Sequence, residues 1–275
     1  SYLMWATLPF LVWVGIPTIF SVDPIKSFWS NFERMEGYIT VLHLFTYFIV
    51  AGAVLTADKL WERFFQTSIL ASALQGLIAL FQILNWFGFA PSSQSGMRAD
   101  ATFGNAIYLA VFLLFNLFLT LYMLVRLYGE KRRPSAWLPV FYGFALVLQI
   151  TGIFFSQTRG AMLGVVIGLV VVALFVLWQA KGPEWRTLRR SALGLLVALV
   201  VLGGAVFAFR DTAVVQQIPG IGRLASISLG ERTVVSRLFY IWPMALKGAL
   251  ERPIIGWGQE NFSFLFNKYY DPGMS

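Results

Sequence analysis

The 275-residue sequence contains no cysteine. Disulfides, thiolate metal sites and a cysteine nucleophile are therefore excluded. Its single histidine is His43, which excludes a site built from several histidines. Charge is scarce: Asp, Glu, Lys and Arg make up 12% of the chain, too little for a water-facing surface. No Walker loop, HExxH helix or paired Asp-rich motif occurs, so nothing supports nucleotide-driven or metal-dependent chemistry, and no metal site or cofactor is expected. No basic run is interleaved with aromatics on a soluble face, so nucleic acid is not an expected partner. What fills the chain instead is apolar, 58% hydrophobic with 17% aromatic residues, and the membrane class follows. The net charge of +8 suits anionic lipid headgroups or a charged lipid substrate. No cleavable leader is visible. The opening "SYLMWATLPF" lies inside a hydrophobic segment and the close, "YYDPGMS", is abrupt. The chain thus reads as a fragment truncated at both ends.

Seven hydrophobic stretches, at 2–20, 38–57, 68–88, 106–127, 138–155, 161–180 and 191–209, reach the roughly 20 residues a bilayer-spanning helix needs. They are too long, and apolar on too many sides, for barrel strands of about ten alternating residues. The expected fold is all-α, a polytopic transmembrane bundle at 1–209 with a large exterior loop at 210–275. Cationic residues concentrate on one side: Lys59 and Arg63; Arg126, Lys131, Arg132 and Arg133; Lys181, Arg186, Arg189 and Arg190. That side is cytoplasmic, which puts 21–37, 89–105, 156–160 and everything after 210 outside. In the tail, Ser228 or Gly230 caps a helix beginning near Glu231. Val234, Leu238, Ile241, Ala245 and Leu246 recur along it at helical spacing. Pro243 kinks that helix or opens its first turn after a break. Pro253 then stops it, and Gly256 and Gly258 supply a permissive turn. The tail reads as a subdomain lying on the membrane surface.

Arginine at the rim of hydrocarbon needs a reason. Arg159 opens an apolar helix after a very short exterior loop, and Arg237 lies on the surface helix. Arg34 and Arg98 are exterior as well. A guanidinium matches phosphate oxygens in pairs, and a helix N-terminus beside Arg159 favours an anion. Exterior arginines at the rim therefore suit a lipid pyrophosphate. The competing reading is that arginines at helix ends snorkel to headgroups. Asn105, directly before a helix, reads as an N-cap or as a hydrogen-bonding group for a sugar. Tryptophans near the helix ends form an interfacial belt, with sugar stacking open for Trp242 and Trp257. His43 reads as a neutral histidine in a helix–helix hydrogen bond.

Four segments stand in a particular order: "SFWSNFERMEGY", "TFGNAIYLA", "SQTRGAMLG", and "SRLFYIWPMAL" followed by "ERPIIGWGQENF". Over residues 27–266 the sequence resembles the O-antigen ligase and O-antigen polymerase superfamily of bacterial membrane glycosyltransferases. The resemblance implies transfer of a glycan from an undecaprenyl-pyrophosphate carrier to an acceptor hydroxyl on lipid, glycan or protein, without a metal, at the exterior face of the inner membrane. It implies that Arg159 and Arg237 hold the pyrophosphate, with Arg34, Arg98 and Asn105 as further candidates. It also implies an exterior histidine after the "GWG…NF" segment, beyond Ser275, so the catalytic residue is unassigned and the chain alone is expected to be inactive. Three alternatives stay open: a lipid-linked-glycan flippase without chemistry, a non-catalytic assembly partner, and a cell-wall polymerase relying on Glu260 or Asp271.

Overall fold

The computed structural model describes all residues except 1, 32–34, 93–94, 130–135, 226–231 and 275. The described regular elements are helices, with no strand among them. In chain order they are α1 (Tyr2–Ile19), α2 (Pro24–Trp29), α3 (Tyr38–Val54), α4 (Asp58–Leu84), α5 (Ala106–Gly129), α6 (Trp137–Ser156), α7 (Arg159–Gln179) and α8 (Arg186–Ala208). Shorter helices follow: α9 (Ala213–Gln217), α10 (Ile221–Ala225), α11 (Arg232–Ser236), α12 (Trp242–Glu251) and α13 (Phe262–Lys268).

Among the described residues five helices, α4 to α8, are long and apolar enough to cross a membrane. The other two expected stretches are shorter apolar helices. At 17 residues, α3 rises about 26 Å, somewhat less than a hydrocarbon core of about 30 Å. The long helices continue into their charged ends. Residues 58–63, read from sequence as loop, form the first turns of α4, with Asp58 at the N-terminus where a carboxylate complements the helix dipole. The basic residues Lys131, Arg132 and Arg133 lie outside the described residues.

The chain divides into two compact units, 62–227 and 1–61 with 228–275. In the first, α5 packs chiefly on α6. Small residues bring α4 and α6 together. Gly76 lies against the Leu148 backbone, and Gly152 sits 3.4 Å, measured from where a Cβ would stand, from the Gly76 Cα. With lipid on the outside, such close approach supplies the packing that a hydrophobic drive would supply in water. A buried hydrogen-bonded chain crosses the same three helices. Gln149 Nε2 donates to Ser72 Oγ at 2.7 Å and to Thr120 Oγ1 at 3.0 Å. Thr120 Oγ1 donates to the Asn116 carbonyl at 2.7 Å, and Ser68 Oγ to Asn116 Oδ1 at 2.8 Å.

In the second unit, Asp23 caps α2 by accepting from Lys26 N at 3.0 Å, and Pro24 starts the helix. The buried Ser27 then ties α2 to the "GWGQENF" turn. Its hydroxyl donates to the Gln259 carbonyl at 2.9 Å and accepts from Asn261 Nδ2 at 2.6 Å. Gly256 (φ 72°) and Gly258 (φ 82°) turn the chain as their sequence positions suggest. Helix α11 runs into α12 through a π-helical turn, Arg237–Ile241, in which Trp242 N donates to the Arg237 carbonyl. Pro243 accounts for it: proline lacks an N–H and its ring crowds the carbonyl one turn back, so the preceding turn widens. The face that packs is Met244 and Gly248, both buried, while Leu238 and Leu246 are exposed. The helical spacing expected in sequence is present, but packing selects a different stripe. The expected caps Ser228 and Gly230 lie outside the described residues, as does Glu231.

Candidate functional site

The turn that carries Arg159 is two residues long. Helix α6 ends at Ser156, Gln157 takes a left-handed conformation (φ 52°), Thr158 is extended, and Arg159 is the first residue of α7. Arg159 is half-buried, and Ala161 and Met162 behind it are buried in the core. Thr158 occupies the N-cap position but makes no capping hydrogen bond with its side chain. Its hydroxyl instead donates to the Ala106 carbonyl at 3.3 Å. Among the described residues the first turn of α7 is therefore without a cap from the Thr158 side chain, the condition in which a helix N-terminus receives an anion.

The described residues of the loop from 85 to 105 form a roof over this turn. Helix C-termini leave carbonyls without intrahelical partners, and the roof supplies donors to two of them. Ala99 N donates to the Phe155 carbonyl at 3.1 Å, and Arg98 Nε to the Ser156 carbonyl at 2.8 Å. Arg98 Nη2 reaches Thr158 Oγ1 at 2.9 Å. Burial, and after it the nearby guanidinium of Arg223, lower the Arg98 pKa from the ordinary arginine value. Arg223 arrives from α10, whose Leu224 packs on the core cluster containing Met162 and Ala161.

Gln82 of α4 holds the roof from beneath. Its Oε1 accepts from Asp100 N and Ala101 N, and its Nε2 donates to Asp100 Oδ1, at 3.1, 2.8 and 3.0 Å. Asp100 Oδ2 accepts from Ser92 N at 3.0 Å. Asp100 is 1% exposed. Burial alone would raise its pKa, but hydrogen bonds from Ser92, Ser95 and Gln82 outweigh it, and the net shift is downward. Asn105 Oδ1 accepts from Ile107 N at 2.8 Å, an N-cap for α5.

Three of the residues singled out from sequence therefore gather in one unit: Arg159, Arg98 through Thr158, and Asn105 at the head of α5. Arg237 belongs to the other unit, where it opens the π-helical turn with an exposed side chain. Arg34 lies outside the described residues. His43 bonds the Ile39 carbonyl of its own helix at 2.7 Å rather than a second helix. It lines a cavity of about 560 Å³ with Trp29, Tyr47 and other residues. Trp257 lies under cations, with Arg252 4.3 Å and Lys268 5.5 Å from its ring centre, and its indole N–H donates to the Gly248 carbonyl.

Sequence reasoning missed Gln82, Asp100 and Arg223. Asp100 in "MRADATFGN" carried a signal, because a carboxylate beside a membrane helix needs partners. Gln82 and Arg223 carried none, since their roles depend on which segments fold together.

Residues 144–274 match the family model described as O-antigen ligase. No curated protein and no solved structure matches the chain. The matched segment takes in α7, with Arg159 at its head, and the turn that begins at Arg237. Residues 144–274, just under half of the chain, are thus similar to the O-antigen ligase family.

Proposed function

We propose that the protein transfers a glycan from an undecaprenyl-pyrophosphate carrier to an acceptor hydroxyl at the exterior face of the bacterial inner membrane, as an O-antigen ligase or polymerase does. The observation that carries this reading is the O-antigen ligase match running through both Arg159 and Arg237, with Arg159 heading a helix whose N-terminus has no side-chain cap. The acceptor oxygen attacks the anomeric carbon, whose bond to the diphosphate breaks. The bonding pair leaves with the polyprenyl diphosphate, and the acceptor proton passes to a base. Negative charge grows on the diphosphate as that bond breaks. Guanidinium groups held in a poorly hydrated site stabilise it most where it grows, which makes a metal unnecessary for this step. Residues 1–209 form the membrane bundle in this account and 210–275 an exterior loop region. The partners are the lipid-linked donor, the acceptor glycan, lipid or protein, and membrane lipids.

The test is glycan transfer by membranes from cells expressing the complete open reading frame that encodes residues 1–275. Arg159→Ala and Arg237→Ala should each remove about 2–4 kcal/mol of transition-state stabilisation, on the order of a hundredfold in rate, with the protein still present in the membrane. Near-normal turnover in both variants would sink the assignment.

A further inference from the structure

Arg98 places two of its five N–H donors on the protein itself. Nε bonds the Ser156 carbonyl and Nη2 the Thr158 hydroxyl, at 2.8 and 2.9 Å. These two acceptors flank Gln157, a non-glycine residue at φ 52°. A side chain in that region is disfavoured and persists where its surroundings hold it. The hold also has a consequence for α7. Arg98 on one side and the Ala106 and Ser156 carbonyls on the other hold the Thr158 hydroxyl, and its oxygen accepts no capping bond from the helix that Arg159 begins.

We propose that Arg98 is a positioning residue, which clamps the α6–α7 turn so that Arg159 and the open N-terminus of α7 are presented together to a lipid diphosphate. The proposal rests on the reading of Arg159 as a diphosphate-binding group. Arginine suits the task because one rigid fork reaches both acceptors, whereas a lysine ammonium is a single point of donation.

The test is the affinity of the full chain in lipid nanodiscs for farnesyl pyrophosphate, measured by calorimetry in a double-mutant cycle. Arg98→Ala should weaken binding by about tenfold, the loss expected when a charged hydrogen-bond pair is removed. Arg98→Lys should recover less than half of that loss on a logarithmic scale. In an Arg159→Ala background, Arg98→Ala should have no further effect. Thr158→Val, a milder change at the other end of the clamp, should weaken binding in the same background-dependent way and covers the case in which Arg98→Ala fails to fold. Equal weakening in both backgrounds would overturn the proposal, because Arg98 would then act on the ligand directly. So would a fall in thermal stability with affinity unchanged. If Arg159→Ala itself leaves affinity unchanged, or the unsubstituted chain ignores the probe, the diphosphate reading fails and the clamp's role falls with it. That pattern differs from a failure of the clamp alone, in which Arg159 matters and Arg98 does not.

Discussion

Asp100 is a buried carboxylate whose partners decide when it is charged. Ser92, Ser95 and Gln82 favour the ionised form against the cost of burial, and its folded pKa lies below the ordinary carboxylate value. A depressed folded pKa contributes stability that is fully present above the unfolded pKa, near about 3.9, and is lost as pH falls through the lower folded value. Thermal unfolding in detergent should therefore be insensitive to Asp100 between neutral pH and about pH 5, and show its loss below about pH 4. Asp100→Asn should mimic the acid state at neutral pH. It replaces one of two acceptor oxygens by an NH2 group, leaving a donor facing Ser92 N or Gln82 Nε2, at a cost of about 1–3 kcal/mol. A variant as stable as the parent at pH 7 and at pH 4 would show that the roof does not depend on this charge. Asn105 is a simpler case. Its position before a helix suggested a cap, and the Ile107 N–H bond is that cap.

At the scale of elements, two contacts are set by missing side chains. A Cβ at Gly76 would run into the Leu148 carbonyl where α4 meets α6, so Gly76→Val should prise that pair apart. A Cβ at Gly258 would meet Ser27 Oγ at 2.7 Å and the Pro17 carbonyl at 2.9 Å, and φ there is 82°. Gly258→Ala should destabilise the docking of α2 on the turn at 256–261 by about 1–3 kcal/mol. Faster proteolytic cleavage within 252–262 would report it, and an unchanged cleavage rate would contradict it. The apolar runs were legible in sequence because bilayer thickness fixes their length. The turns at Pro243, Gly256 and Gly258 were legible because those residues dictate backbone conformation locally. The Gln149–Ser72–Thr120 chain and the Gln82 clamp were not, because a polar residue in an apolar run does not reveal which helix will answer it. The same limit applied to Arg98: spacing put it on the exterior side but could not separate a headgroup contact from a bond to the α6 terminus. Val234, Leu238, Ile241, Ala245 and Leu246 keep helical spacing in sequence, yet the buried positions of α12 are Met244 and Gly248. The widened turn before Pro243 shifts the helical phase between α11 and α12, which a uniform period does not anticipate.

At the scale of the whole molecule, the account requires one orientation in the membrane. The absence of cysteine makes this simple to test, since a single introduced cysteine is the only thiol present. Met97→Cys, at an 87% exposed position in the roof, should react in intact spheroplasts with a membrane-impermeant maleimide, and Lys181→Cys, between α7 and α8, should not. The reverse pattern would invert the topology and remove Arg159 from the donor's side. The O-antigen ligase match over residues 144–274 favours glycan transfer over passage of an intact lipid-linked glycan; a diphosphate site at Arg159 would serve either. The most direct measurement follows both ends of a doubly labelled undecaprenyl-pyrophosphate glycan in membranes treated with a chelator. The account predicts one polyprenyl diphosphate released for each glycan covalently joined to acceptor, with release and joining lost together in Arg159→Ala. Movement of the intact labelled donor across the bilayer, with no covalent product and no released diphosphate, would contradict it.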